Sequence, residues 1–273
     1  MNRRSDRYVV IGHPVAHSKS PDIHARFAEQ TGQDMQYQRL LAPLDGFEQA
    51  VRAFIGEGGR GANVTVPFKL EAYALATDLT ERARAAGAVN TLAFDGARIA
   101  GDNTHGFALV ADIVRNAGVT RHGKRILLLG AGGAARGALL PLLAERPACL
   151  VIANRTVDKA RELAQRFGAA GTVSASDYAG LQQPFDIVIN ATSASLADDL
   201  PPIPPQVFGA GSLAYDMMYA KQPTVYLRFA QAHGAAIRDG LGMLVEQAAE
   251  AFYGWRGVRP DTAPVLDELR NKM

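Results

Sequence analysis

Ile126-Leu127-Leu128-Leu129-Gly130-Ala131-Gly132-Gly133-Ala134-Ala135-Arg136-Gly137 reads as a buried strand that runs straight into a glycine-rich turn and then a helix. Glycine lets the backbone approach an anion closely, and the free N–H groups and dipole of the following helix attract its negative charge. In the G-x-G-x-x-G/A fingerprint the first glycine makes the turn, the second admits a pyrophosphate and the third position packs helix on strand. Gly130, Gly132 and Ala135 fit those three positions, with Ala131, Gly133 and Ala134 between them. A plain tight strand-to-helix turn has the same composition, so the neighbouring segments decide the reading.

The next apolar run, Cys149-Leu150-Val151-Ile152-Ala153, lies about 20 residues past the first glycine, where the second strand of a βαβ unit ends beside an adenosine ribose. An NAD site places Asp or Glu there; this chain has Asn154-Arg155-Thr156 with Lys159 close behind. Cations with amide and hydroxyl donors suit a 2′-phosphate better than a bare 2′-hydroxyl, which favours NADP. Arg155 and Lys159 also read as ordinary solvated charges, although cations at a helix start oppose its dipole and an anionic ligand accounts for them.

The chain has 273 residues, 48% of them hydrophobic and 21% charged, a length that favours two domains. Its 29 basic and 27 acidic residues are interleaved and leave a net charge of +2, with no basic block for nucleic acid or a membrane surface. Cys149 is the only cysteine, so neither an internal disulfide nor a cysteine-rich metal site can form, and a reducing compartment is expected. The run Val9-Val10-Ile11 is too short for a signal-peptide core and no segment approaches a membrane span, so a cytoplasmic location is expected.

Patterning predicts a strand at 8–11, a helix at 20–31 capped by Ser20 with Pro21 at its first position, a strand at 36–41 and a helix at 45–56. A strand over 62–66 follows, then helices at 68–75 and about 79–86, and a hairpin about Asp95-Gly96. From about 106 the alternation becomes that of a doubly wound sheet: a long helix, strand 125–129, helix 133–145, strand 149–153, helix 157–167 and strand 186–190. A strand at 213–216 and a mostly helical segment from about 240 complete it. The expected fold is α/β, with residues 1–105 plus 241–273 in one domain, 106–240 in a Rossmann-like domain, and a cleft between them.

Polar clusters fill the first domain. Ser18-Lys19-Ser20-Pro21 opens a helix, where its hydroxyls serve either as caps or as carboxylate ligands. In Asn63-Val64-Thr65-Val66-Pro67-Phe68-Lys69 alternation puts Asn63 and Thr65 on one face, with Lys69 just past the strand end. Gly87-Ala88-Val89-Asn90-Thr91 and Gly101-Asp102-Asn103-Thr104 set further polar groups among small residues.

With these motifs, the glycine turn, Asn154-Arg155-Thr156, Asn190-Ala191-Thr192-Ser193 and Asp239-Gly240-Leu241-Gly242-Met243-Leu244 followed by Gln247, the chain resembles the shikimate dehydrogenase family nearly end to end. The resemblance implies reversible NADPH-dependent reduction of 3-dehydroshikimate to shikimate, on the route to chorismate and aromatic amino acids. It implies that Ser18 and Ser20 bind the substrate carboxylate, and that Thr65, Asn90, Asp102, Tyr219 and Gln247 bind the ring hydroxyls. It makes Lys69 and Asp102 the catalytic pair, and sets Gly130 to Ala134, Asn154, Arg155, Thr156, Lys159, Met217, Gly240 and Glu81 around NADP. Such a lysine serves as base and acid if burial lowers its pKa; Asp102 nearby would raise it.

Two positions depart from the family pattern: His105 stands where an acidic residue is usual, and Ala194-Ser195-Leu196 displaces a small glycine. Rival readings are a quinate/shikimate or aminoshikimate dehydrogenase and a non-catalytic NADP-binding regulator, which would be expected to lack Lys69 or Asp102. No metal is implied, and monomer and homodimer both remain open.

Overall fold

The computed structural model describes residues 5–120 and 122–273. The chain divides into two compact units, Met1–His105 with Val245–Leu269, and Gly106–Leu244 with Arg270–Met273.

The first unit is built from β1 (Asp6–Gly12), α1 (Ser20–Thr31), β2 (Met35–Leu41), α2 (Phe47–Gly56), β3 (Gly59–Val64), α3 (Lys69–Leu75), β4 (Asp78–Leu79), α4 (Glu81–Ala86), β5 (Thr91–Asp95) and β6 (Arg98–Asp102). Its six-stranded sheet runs in the order β2-β1-β3-β5-β6-β4. β1, β2 and β3 are parallel, β5 runs antiparallel to β3 and β6, and β4 is parallel to β6. One face buries Val9, Ile11, Val51, Phe54, Val64, Phe68, Leu92 and Phe94 in a continuous apolar cluster.

The rest of the chain forms α5 (His105–Ala111), a π-helical turn Asp112–Asn116, β7 (Arg125–Leu129), α6 (Gly133–Ala144), β8 (Cys149–Ala153), α7 (Val157–Phe167), β9 (Val173–Ser176), β10 (Phe185–Asn190), β11 (Phe208–Asp216), α8 (Val225–Ala232), β12 (Ala236–Arg238), α9 (Leu241–Arg256) and α10 (Ala263–Asn271). The second unit's sheet is parallel throughout, in the order β12-β11-β10-β7-β8-β9. Numbered from β7, that is the 3-2-1-4-5-6 order of the dinucleotide-binding fold, with its switch point between β7 and β10. Ile126 to Leu129 are fully buried, as a strand covered on both faces requires.

α9 carries its later turns into the first unit. The Trp255 indole donates to the carbonyl of Leu92 at 3.0 Å, and the Arg256 guanidinium reaches Asp6 at 2.5 Å and Gln33 at 2.8 Å. The Trp255 ring also lies against His24, a fully buried residue of α1 stacked on Tyr37 with ring centroids 4.1 Å apart. Neither His24 nitrogen has a hydrogen-bond partner among the described residues. The adjacent Asn63 carboxamide is already engaged by Tyr37 and Thr91, so burial dominates and pulls the His24 pKa down to about 3.

Several expectations are corrected. Ser20 is not the cap of α1: Lys19 holds that place with φ −84° and ψ −8°, no side chain caps the helix, and Ser20 is already helical. β3 ends at Val64, so Thr65 lies just beyond the strand, although its N–H still donates to Ile11. The helix expected from 79 starts at Glu81, where Thr80 accepts from the Ala83 N–H, and Asp78–Leu79 is a short strand instead. β9, β12 and α8 were not expected.

Candidate active site

Within the first unit the polar motifs interlock. The Asn90 carboxamide, 4% exposed, accepts from the Thr104 N–H at 2.9 Å and donates to the Thr104 hydroxyl at 3.0 Å and to Gln247 on α9 at 3.5 Å. Thr91 donates to the same Asn90 oxygen at 3.1 Å and accepts from Asn63 at 3.1 Å, and Asn63 accepts from the Tyr37 hydroxyl at 2.7 Å. A line of fixed hydroxyls and amides thus joins β2, β3, β5, the end of β6 and α9. Because each member is held by its neighbours, a polyol meets donors and acceptors that need no rearrangement.

Ser18 and Ser20 lie together, with hydroxyl oxygens 3.2 Å apart, and the Ser20 N–H also donates to the Ser18 hydroxyl. Arg39 on β2 fixes this loop by donating to the Ser18 carbonyl at 2.6 Å and brings a cation beside the two serines. Hydroxyls, a helix start and a guanidinium are the donor set that a carboxylate prefers.

Lys69 opens α3, and its Nζ lies 2.9 Å from Nε2 of His105. Burial pulls the lysine pKa down to about 8. Asp102 is not the lysine's ion-pair partner among the described residues, and the expected upward pull of its charge on the lysine pKa is not seen: burial is the cause of the shift. Its carboxylate is taken by Arg82 in a two-pronged pair and accepts from the Thr80 hydroxyl at 2.6 Å and the Asn103 N–H at 2.7 Å. Arg82 also bonds Glu250 on α9 at 2.9 Å. Burial opposes ionisation of Asp102, but the Arg82 guanidinium outweighs it, so the carboxyl titrates below its usual range. Oδ2 keeps a single donor and can accept another. Glu81, the first residue of α4, is exposed.

In the second unit the glycine turn follows β7 as the sequence predicts. Gly130 has φ +103°, a conformation open to glycine, and its N–H donates to Ala153 at 2.8 Å. Gly132 caps α6, and neither it nor Gly133 has an atom within 4 Å of where a Cβ would stand, so the N–H groups of the helix start are open to an approaching phosphate. Ala135 is fully buried against the sheet, as the third fingerprint position requires. At the end of β8, Asn154 donates to the Thr156 carbonyl at 2.9 Å, and Thr156 caps α7. Arg155 and Lys159 are exposed and have no ion pair among the described residues. Gly240 packs against Met217, where a Cβ would lie 2.2 Å from the Met217 carbonyl oxygen. Tyr219 follows β11 and is 36% exposed. This open turn with unpaired cations beside it fits a phosphorylated dinucleotide such as NADP.

Sequence reasoning missed Arg39, Tyr37, Arg82 and Glu250, and gave His105 no role at the lysine. No group of His, Cys, Asp and Glu suited to a metal ion occurs among the described residues. No helix among them is long and apolar enough to cross a membrane.

Family models match residues 10–92 as shikimate dehydrogenase substrate binding domain, 112–197 as shikimate / quinate 5-dehydrogenase and 240–270 as shikimate 5'-dehydrogenase C-terminal domain. The chain is 68% identical to a shikimate dehydrogenase (NADP(+)) of Herminiimonas arsenicoxydans over 100% of both chains. It belongs to the shikimate dehydrogenase family. An Ael1 enzyme from Pseudomonas putida superimposes with a TM-score of 0.94 at 51% identity, covering 97% of this chain and 98% of its own. A shikimate 5-dehydrogenase of Thermus thermophilus, solved in complex with NADP(H) and shikimate, gives a TM-score of 0.87 at 31% identity, covering 98% of this chain and 100% of its own. The family's members are oxidoreductases.

Proposed function

We propose that the protein reduces 3-dehydroshikimate to shikimate reversibly, with NADPH as the reductant, in the pathway to chorismate and aromatic amino acids. The observation that carries this reading is a lysine amine pulled to about 8 by burial, with no carboxylate as its ion-pair partner among the described residues, in the same unit as a prearranged line of hydroxyl-binding groups. The first unit is the substrate domain and the second the NADP domain, and the protein acts in the cytoplasm as a monomer or homodimer.

Bound NADPH supplies the hydride. Ser18 and Ser20 hold the substrate carboxylate beside Arg39, and Thr65, Asn90, Asp102, Gln247 and Tyr219 bind the ring oxygens. Lys69 gives its proton to the carbonyl oxygen in reduction and takes it from the hydroxyl in oxidation. Asp102, kept anionic by Arg82, accepts from the substrate and orients it through Oδ2. Gly130 to Ala134, with Gly240 and Met217, would hold the dinucleotide, and Asn154, Arg155, Thr156 and Lys159 would hold its 2′-phosphate. Glu81 belongs to the cofactor side.

The test is absorbance at 340 nm with shikimate or quinate against NADP+ or NAD+. The shikimate and NADP+ pairing is expected to give the highest kcat/KM. Absence of turnover in every pairing removes the enzymatic reading, and a preference for quinate turns it to the quinate relatives.

A further inference from the structure

Lys69 and His105 stand 36 residues apart in sequence, yet Nζ and Nε2 meet at 2.9 Å. His105 opens α5, and its own N–H donates to the Asn103 side chain at 3.2 Å, which anchors the backbone that presents the ring. The neighbouring elements carry further charged groups: Arg98 and Asp102 on β6, Glu81, Arg82 and Arg84 on α4, Glu246, Glu250 and Arg256 on α9, and the exposed Glu71 on α3. Arg82 bonds both Asp102 and Glu250. Burial, with the Lys69 charge adding to it, holds the His105 pKa well below its ordinary value, so the ring is neutral at physiological pH. An ammonium only donates, so a neutral ring facing it must accept at Nε2 and carry its proton on Nδ1.

We propose that His105 is a positioning residue for the reaction, whose neutral imidazole accepts from Lys69 at Nε2 and holds Nζ in place without supplying a counter-charge. The inference rests on the reading of Lys69 as the proton donor and acceptor. An ammonium has three N–H bonds and an amine two, so the contact to Nε2 survives proton transfer in either direction. A carboxylate at position 105 would hold the ammonium more tightly than the amine and keep the proton on the lysine at neutral pH. The imidazole binds both states, and the lysine exchanges its proton close to physiological pH.

The experiment measures the pH dependence of kcat for shikimate oxidation in the full-length protein, His105→Asp and His105→Asn, together with NMR of 13Cε-labelled lysine and 15N-labelled histidine. Lys69→Ala and His105→Asn assign the signals. Wild-type kcat is expected to rise through an inflection near 8, matching the Lys69 titration. In His105→Asp both are expected to move up by about one unit or more, with roughly tenfold less oxidation at neutral pH. His105→Asn, which keeps an uncharged acceptor, is expected to leave the inflection in place and lower kcat several-fold.

A His105→Asp inflection and lysine titration coincident with wild type overturn the proposal. So does a wild-type His105 protonated on Nε2, or one titrating between pH 5 and 8 by the 15N shifts; that arm needs no variant to fold. If the Lys69 titration moves in His105→Asp but the kcat profile does not, or if Lys69→Ala keeps near-normal kcat, the failure lies with Lys69 as the proton carrier. The control exerted by His105 on the lysine then stands.

Discussion

Around the candidate site in the first unit, charges are consumed by one another: Arg82 is held between Asp102 and Glu250, and Asn90, Thr91 and Thr104 close on themselves. Beside β8 in the second unit, Arg155 and Lys159 have no ion pair among the described residues, and the turn at Gly132 and Gly133 faces open space. The first arrangement is set before substrate arrives and contributes little reorganisation to the barrier. The second leaves positive potential uncompensated until an anion supplies the counter-charge. One unit is built for orientation, the other for attraction.

The largest expected effect tests orientation. Lys69→Ala should lower kcat by about 10²–10⁴-fold while KM for shikimate stays within a few-fold, in steady-state assays. A large rise in KM with normal kcat would make the lysine a binding group.

Acid should separate the units. His24 has a pKa of about 3 in the folded protein against about 6.5 unfolded, so the unfolded chain binds more protons between those values and stability falls as pH drops. The loss from pH 6.5 to 4 is roughly 3 kcal/mol from this residue alone. Trp255 is the single tryptophan and packs on His24, so its fluorescence follows the first unit. Urea midpoints read this way should fall with acid, and His24→Phe should flatten the dependence. An unchanged slope in His24→Phe would show that other groups dominate acid unfolding.

Removing the ion clamp should cost less. Arg82→Gln leaves two carboxylates without their shared partner and is expected to lower stability by roughly 2–3 kcal/mol, below the figure for a fully buried pair because Arg82 keeps 26% side-chain exposure. Chemical denaturation measures it. Arg155→Gln, by contrast, should leave the denaturation midpoint where it is.

The smallest effect falls on the open cations. Arg155→Gln should weaken NADPH binding about tenfold, leave NADH binding nearly unchanged and flatten the salt dependence of the NADPH Kd, by fluorescence titration. Equal losses for both nucleotides would place the arginine away from the 2′-phosphate.

The second unit was the more legible in the sequence, because its signals are local. β7, the glycine turn, α6 and β8 follow one another in a single apolar pattern. β9 escaped notice since Val173-Ser174-Ala175-Ser176 has little apolar content to bury at a sheet edge, and β12 has three residues. Ser20 misled because its cap signature matched while Lys19 had already turned helical. In the first unit the candidate motifs could be picked out, but their partners could not. Arg82 meets Glu250 across 168 positions and Lys69 meets His105 across 36, separations at which no periodicity carries information.

The first unit is assembled from two stretches of chain, with Val245–Leu269 lying downstream of nearly all of the second. Vectorial synthesis therefore delivers the stretch Gly106–Leu244 complete while the earlier strands still wait for α9. Until Trp255 and Arg256 leave the ribosome, Leu92 and Asp6 lack the partners they bond in the finished fold. The second unit is thus free to mature first on the ribosome, the reverse of the usual N-terminal-first order, and the first unit is sealed last.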